Sequence, residues 1–322
     1  MQNPTSGIHH ITAIAGDPQR NLDFYAGTLG LRLVKRTVNF DDPGTYHFYY
    51  GDRTGRPGTL LTFFPWAGAF RGRPGAGQAT VTSFAVPGGS LDYWEDRLGS
   101  RQVPGVTRRQ RFGESTLRFS DPDGLALELV ADAATDKGDV HRDSAIPASA
   151  AIRRFQGTTL TLRGADATAQ VLTEVLGLIP AAEDGAYRRF APPAGAEGGV
   201  VDLLRDPSAP AGTLGAGGVH HVAWRAADGA HQLRLRGEVL GHNLGVTPVV
   251  DRQYFQSIYF REPGGVLFEV ATDGPGFLID EPEATLGEAL KLPPRFEPDR
   301  AAIEEVLPPI TLPRTDRSPV EA

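Results

Sequence analysis

The chain has no cysteine. That excludes disulfides, zinc knuckles, iron–sulfur clusters and thiol nucleophiles, and it fits an intracellular protein. Positive charge is also short: 32 Lys and Arg stand against 39 Asp and Glu, for a net charge of −7. An acidic chain is not expected to bind nucleic acid or an anionic membrane surface. No window approaches the ~18 consecutive apolar residues that a membrane span requires. The N-terminus has neither the basic nor the apolar part of a signal peptide, so the expected location is the cytoplasm. Glycine and proline, by contrast, are plentiful at 39 and 26 of 322 residues, which favours tight turns and many short strands. The length suits one large or two medium domains.

Within that background one unit recurs four times: a short strand, an amphipathic helix, then two or three strands joined by Gly/Pro turns. The first unit has a strand at 7–14 and a helix opened by Asp17-Pro18, with Asp as N-cap and Pro at the first helical position. Leu22, Tyr25 and Leu29 keep helical spacing, Leu29-Gly30-Leu31 closes the helix, and strands follow near 45–50 and 59–64. The second unit begins at 79–84, has a helix around 91–98 and ends in the turn Asp121-Pro122-Asp123-Gly124 before Leu125–Leu129. The third starts at 157–160, has a helix over 166–176 and ends at 199–204. The fourth runs from Gly218 to Thr272. Residues 134–152 read as a linker between an N-terminal half (1–133) and a C-terminal half (153–275). The Pro-rich tail 276–322, with short helical patterns at 286–290 and 301–307, is expected to wrap over the body or a neighbouring subunit.

Four βαβββ modules, an α+β fold in which paired modules close two half-barrels, resemble the vicinal oxygen chelate superfamily, the fold of glyoxalases and extradiol ring-cleaving dioxygenases. Two modules carry further likenesses. Gly7-Ile8-His9-His10 is followed seven residues after His10 by Asp17, and Gly218-Val219-His220-His221 is followed seven residues after His221 by Asp228. Neighbours on a strand are expected to face opposite ways, so one His of each pair should point inward. The repeated Asp matches the superfamily's His-to-Asp spacing and selects His10 and His221. Glu269, in Phe268-Glu269-Val270 after the turn Glu262-Pro263-Gly264-Gly265, supplies the third ligand. Two imidazoles and one carboxylate suit a divalent first-row metal and leave positions open for substrate and oxygen. Module one carries Thr62 where its carboxylate would stand. Module three is read with Leu160 in its His slot, and module two keeps Glu128 without a His, which suggests a salt bridge. Modules one and four are therefore expected to be spatial partners around a single ion.

The resemblance narrows further. Phe24-Tyr25, Val34-Lys35-Arg36-Thr37-Val38-Asn39-Phe40-Asp41, Tyr46-His47-Phe48-Tyr49-Tyr50-Gly51-Asp52 and Thr62-Phe63-Phe64-Pro65-Trp66 look like the hydroquinone-cleaving branch. That likeness implies Fe(II), with Mn(II) as second choice, and an aromatic substrate cleaved with O2. It also implies site roles for His9, Thr12, His220, Arg252 and Tyr259. On this reading one hydroxyl of a hydroquinone or catechol binds the metal, and His9, His220 and Tyr259 serve the proton steps. A glyoxalase-type isomerase would want a fourth protein ligand, which Thr62 does not provide. A non-enzymatic binding protein of the same fold would need no metal set. His47 is read as a residue that approaches the cavity, whereas His141, His231 and His242 read as loop or helix-surface residues. The run Arg108-Arg109-Gln110-Arg111 reads as a solvated strand face. The oligomeric state, a homo-oligomer included, is left open.

Overall fold

The computed structural model describes residues 4–135, 144–193 and 199–312. Module one comprises β1 (Ile8–Ala15), a helix begun by α1 (Pro18–Leu22), β2 (Arg32–Asn39), β3 (Asp42–Gly51) and β4 (Leu60–Pro65). Module two comprises β5 (Gln78–Val86), α2 (Leu91–Ser100), β6 (Thr107–Arg111), β7 (Glu114–Ser120) and β8 (Ala126–Ala131). Module three comprises β9 (Arg154–Leu162), α3 (Asp166–Gln170), β10 (Ile179–Asp184), β11 (Tyr187–Ala191) and β12 (Val200–Arg205). Module four comprises β13 (Val219–Ala226), α4 (Gly229–Gly241), β14 (Val250–Asp251), β15 (Phe255–Arg261) and β16 (Leu267–Pro275). A further helix, α5 (Arg300–Val306), lies in the tail. Among the described residues, no helix is long and apolar enough to cross a membrane.

The modules pair outer with outer and inner with inner. One eight-stranded sheet runs β14-β15-β16-β13-β1-β4-β3-β2 and the other β10-β11-β12-β9-β5-β8-β7-β6. Each is two modules joined through their first strands, antiparallel, as β1 to β13 and β5 to β9. Modules one and four therefore share a sheet, as the ligand pattern requires.

Local chemistry accounts for the elements. Asp17 accepts the Arg20 amide at 2.7 Å and Asp228 accepts the His231 amide at 2.7 Å, so the repeated acid is a helix N-cap in both copies. The helices of modules one and three each loosen into a π turn, over Asp23–Thr28 and Val171–Val175, before Leu-Gly-Leu ends them. The turns that begin with Asp121 and Glu262 are built alike. Asp121 accepts the amides of Asp123 and Leu125 and the Tyr25 hydroxyl. Glu262 accepts the amides of Gly264 and Val266 and the Thr168 hydroxyl.

The described part of the tail, residues 276–312, lies on the body of its own chain. Lys35, fully buried on β2, pairs with Asp280 at 2.6 Å and with Glu281. Phe277 and Leu286 join an apolar cluster with Val34, Tyr49, Leu60 and Tyr254. The expected helix at 286–290 does not form. Gly287 adopts φ +82° against the Leu33 carbonyl and Leu290 bridges Arg36, so this stretch forms a turn pinned to β2 instead. The helical pattern at 301–307 does form, as α5.

Candidate metal centre and its pocket

Strand register brings the proposed ligands together. Tyr259, Glu269, Ala223, His10 and Leu60 lie in one row across β15, β16, β13, β1 and β4. His221, Thr12, Thr62 and Tyr49 form the next row across β13, β1, β4 and β3. Residues in such rows share a face, here the concave one.

Ligand atoms of His10, His221 and Glu269 all lie within 4.8 Å of one another, and all three residues are buried. His221 Nε2 stands 2.9 Å and His10 Nε2 3.4 Å from Glu269 Oε2, and the two imidazole nitrogens are 3.2 Å apart. Glu269 Oε1 accepts the Ser257 hydroxyl, but Oε2 is buried without a well-directed hydrogen bond. Burial opposes the charge on this carboxylate. The imidazoles of His10 and His221 outweigh that and hold it well below the usual carboxylate range. A buried anion whose open oxygen faces two imidazole nitrogens is a costly arrangement unless a cation lies between them. The donor set therefore fits a first-row divalent ion.

The adjacent histidines behave differently from the simple alternation expected of a strand. β1 carries an extra residue at His9 opposite β13, and β13 carries one at His220 opposite β1. Each pair sits on a bulge, which lets neighbouring side chains lie together. His9 Nδ1 is 2.9 Å from His10 Nδ1, and His220 Nδ1 is 2.8 Å from His221 Nδ1. The selected residues converge, but strand alternation is not what separates them from their neighbours. An imidazole that ligates through Nε2 carries its hydrogen on Nδ1, and here that hydrogen has an acceptor. His9 can then pass its own Nε2 hydrogen to the Thr272 carbonyl at 3.2 Å. Burial, with His10 beside it, holds His9 well below its ordinary pKa, and burial beside His221 lowers His220 to about 3. Both are neutral, as hydrogen-bond acceptors must be.

A cavity of about 320 Å³ opens beside the triad, lined by His10, His221, Glu269, His220, Arg252 and Tyr259. His47, Tyr49, Phe64, Trp66, Phe255 and Asn39 through Asp42 complete the lining. Arg252 Nε donates to the Tyr259 hydroxyl at 3.0 Å, and its Nη1 pairs with Asp41 at 3.0 Å. Burial pushes the Tyr259 phenol up, with Glu269 adding to the shift and Arg252 opposing it. Of the residues singled out in the sequence, His220, Arg252 and Tyr259 line the cavity; His9 and Thr12 do not. His9 is packed behind His10, and Thr12 hydrogen-bonds Thr62 at 2.7 Å.

His231 is buried at the start of α4 and accepts the Ala227 amide, so it is not a surface residue. His242 caps the end of that helix and pairs with Glu174 at the surface, while His141 lies outside the described residues. Arg108 and Arg109 are exposed, but Arg111 turns inward to Glu128 at 2.9 Å and Asp202 at 3.3 Å, which is the salt bridge expected of Glu128. Ser83 lies opposite Glu128 and Thr159 opposite Asp202, as Ala223 lies opposite Glu269. Counting back two residues puts Val81 and Gly157, not Leu160, in the remaining slots. The sequence reading missed Asp202, Tyr49, Asp41 and Asp42. A strand-by-strand alignment of module three on module four would have found Asp202.

The model of the Glyoxalase/Bleomycin resistance protein/Dioxygenase superfamily matches residues 7–129. The chain is 49% identical over 316 residues to "Putative ring-cleaving dioxygenase MhqO" of Bacillus subtilis, covering 98% of this chain and 100% of that one. It is 38% identical over 307 residues to chlorohydroquinone/hydroquinone 1,2-dioxygenase of Sphingobium indicum, covering 92% and 95%. A crystal structure from Bacillus subtilis superposes with a TM-score of 0.91 at 49% identity, over 97% of this chain and 99% of that one. Glyoxalase I from Zea mays shares the fold alone, with a TM-score of 0.61 at 13% identity over 83% and 92%. With relatives this similar along nearly their whole length, the chain belongs to the glyoxalase, bleomycin resistance protein and dioxygenase superfamily, in the branch of its ring-cleaving relatives.

Proposed function

We propose that the protein is a metal-dependent ring-cleaving dioxygenase that opens hydroquinone- or catechol-like aromatics with O2. His10, His221 and Glu269 would hold Fe(II), with Mn(II) as the other ion this donor set accepts. The observation that carries the reading is a buried three-ligand cluster beside an open cavity, with Thr62 in the position of a fourth ligand. A ferrous ion in such a set supplies redox chemistry with O2 and acidifies a phenol bound to it.

The remaining roles fall to the chain's own side chains. His9 and His220 accept the Nδ1 hydrogens of the ligating histidines and fix their ring orientation. His220 also lines the cavity, so its Nε2–H is placed to donate to a substrate or product oxygen. Arg252 holds the Tyr259 oxygen, and Tyr259 can give its hydroxyl hydrogen to an oxygen in the cavity. Burial works against the charge of Arg252, but Tyr259, Asp41 and Glu269 keep it firmly protonated, able to meet a carboxylate as it forms. Phe64, Trp66 and Phe255 exclude water and offer flat surfaces to an aromatic ring. Thr12 supports the wall through Thr62.

The test is anaerobic reconstitution with Fe(II) or Mn(II), followed by O2 uptake with hydroquinone, catechol and a methylglyoxal–thiol adduct. Stoichiometric O2 consumption with a diol, giving a ring-opened product, is expected. Isomerisation of the adduct without O2 uptake would overturn the proposal in favour of a glyoxalase-type reaction, and ligand binding without turnover would indicate a binding protein.

A further inference from the structure

The position that a fourth ligand would take is part of a hydrogen-bonded chain. Thr62 Oγ1 stands 2.7 Å from Thr12 Oγ1 and 3.0 Å from His47 Nε2, and His47 Nδ1 stands 2.9 Å from the Tyr49 hydroxyl. His47 also packs against Phe64, with ring centroids 4.4 Å apart. Burial, with His10 and His221 nearby, holds His47 well below its ordinary pKa, so the ring is neutral and has one donor and one acceptor nitrogen. Burial likewise keeps the Tyr49 phenol protonated.

Such a chain has two polarities. If Thr62 donates to Nε2, then Nδ1–H donates to the Tyr49 oxygen and the phenol hydrogen is free for an acceptor in the cavity. If Tyr49 donates to Nδ1, then Nε2–H donates to Thr62 and the phenol oxygen is free to accept. The Tyr49 hydroxyl can therefore meet a substrate hydroxyl or a carbonyl oxygen equally well.

Its place in the sheet says which oxygen it would meet. The ligands come from β1, β13 and β16, whereas His47 and Tyr49 stand on β3, beyond β4 on the other side of β1. Thr62 stands in the fourth-ligand slot and His47 lies between it and the Tyr49 hydroxyl, which is therefore one imidazole removed from the ligand end. An ortho-diol carries both oxygens at one edge of its ring, and both would lie at the ligand end. A para-diol carries one oxygen to each end. Other polar groups of the lining are already engaged: Asp42 by the Trp66 indole N–H and Thr45, Asp41 by Arg252, and the Asn39 side-chain oxygen by the Asp41 amide.

We infer that the Tyr49 hydroxyl, set in place by His47 and Thr62, binds the substrate oxygen that does not reach the metal, and so selects para-diols over ortho-diols. Tyr49 is the contact and His47 a positioning residue. The inference rests on the ring-cleaving reading for its substrate class.

The test compares wild type, Tyr49→Phe and His47→Phe, each loaded with Fe(II), by anaerobic calorimetry with hydroquinone, catechol and phenol, and then by O2 uptake. Tyr49→Phe is expected to weaken hydroquinone about tenfold, the effect of one lost hydrogen bond, and to leave catechol and phenol unchanged. His47→Phe should shift hydroquinone in the same direction with the metal still bound. An equal loss across all three ligands, or no loss for hydroquinone, overturns the inference. A wild type that takes up no O2 with any diol would sink the dioxygenase reading, while the calorimetric comparison of hydroquinone with phenol would still judge Tyr49.

Discussion

The two half-barrels have the same strand order and the same register, yet only one gathers a metal-binding set among the described residues. In the sheet of modules one and four the four slots hold His10, His221, Glu269 and Thr62. In the sheet of modules two and three the matching slots hold Val81, Gly157, Asp202 and Glu128. The second sheet therefore keeps two carboxylates and lacks both imidazoles. Its acids are neutralised by arginine: Arg111 reaches Glu128 and Asp202, Arg189 reaches Asp202 at 2.7 Å and Glu114 at 2.7 Å, and Arg118 reaches Glu128 at 3.5 Å. Gly157 cannot be made a ligand, since a Cβ there would lie 2.3 Å from the Val200 carbonyl oxygen. The same concave face thus holds the proposed metal site in one sheet and an ion-paired filling in the other.

Exchanging the matching carboxylates gives the sharpest test of that difference. Glu269→Gln removes the only anionic ligand and is expected to lower metal occupancy and cut diol turnover by about a thousandfold or more, as loss of a ligand does when the ion carries the chemistry. Metal analysis of the purified variant beside O2 uptake checks it. An active, fully loaded Glu269→Gln protein would dissolve the distinction between the two sheets.

The matching change in the other sheet should act on stability instead. Glu128→Gln removes the carboxylate that Arg118 meets and one of the two that Arg111 meets; it is expected to cost about 3 kcal/mol, the low end for breaking a buried pair, since Asp202 still faces Arg111. Metal content and turnover of the folded protein should stay at wild-type levels. Denaturant melts together with metal analysis would show it, and a loss of metal would mean that the two sheets are coupled.

Much of this difference could be read from the sequence. The His-His pairs, the helix caps Asp17 and Asp228, and the hairpin that sets Tyr259 opposite Glu269 all follow from local spacing. The pairing of modules one and four followed from the ligands being divided between them. Other features depend on contacts that spacing does not encode. The bulges at His9 and His220 shift the register by a residue that no pattern marks. Arg111 reads as part of an exposed run, yet it meets carboxylates from two other strands, β8 and β12. The tail's apolar positions at 286 and 290 keep a helical interval, but packing on β2 overrides it. Tyr49 looks like one more aromatic in a β-rich stretch until the fold sets it in the lining of the cavity.

A smaller effect belongs to the turn acid of the second sheet, Asp121, and pH can expose it. Burial pushes Asp121 up to about 6, against the amides of Leu125 and Asp123 and the Tyr25 hydroxyl that favour its charge. Its folded pKa is above the unfolded value of 3.8, so the native state binds the extra proton between those two values. Stability from this group is therefore present at the acid end and falls as pH rises from about 4 through 6, by up to roughly 3 kcal/mol. Asp121→Asn should flatten that part of the stability profile. A variant whose melts at pH 4 and pH 6.5 differ as much as the wild type's would refute it.

The smallest expected effect separates the two histidines that stand behind the ligands. His9 is walled in between His10, Phe255 and the Thr272 carbonyl and does not reach the cavity, whereas His220 does. His9→Phe removes the acceptor for the His10 Nδ1 hydrogen and should weaken metal binding by about ten- to a hundredfold, with the turnover of each loaded site little changed. His220→Phe removes the same support from His221 and also a cavity donor, so it should lower turnover per bound metal as well. Metal titration with turnover normalised to occupancy distinguishes them. If His9→Phe instead slowed loaded sites as much as His220→Phe, both histidines would have to contact the substrate, and the bulge at His9 would be open to the cavity rather than sealed behind it.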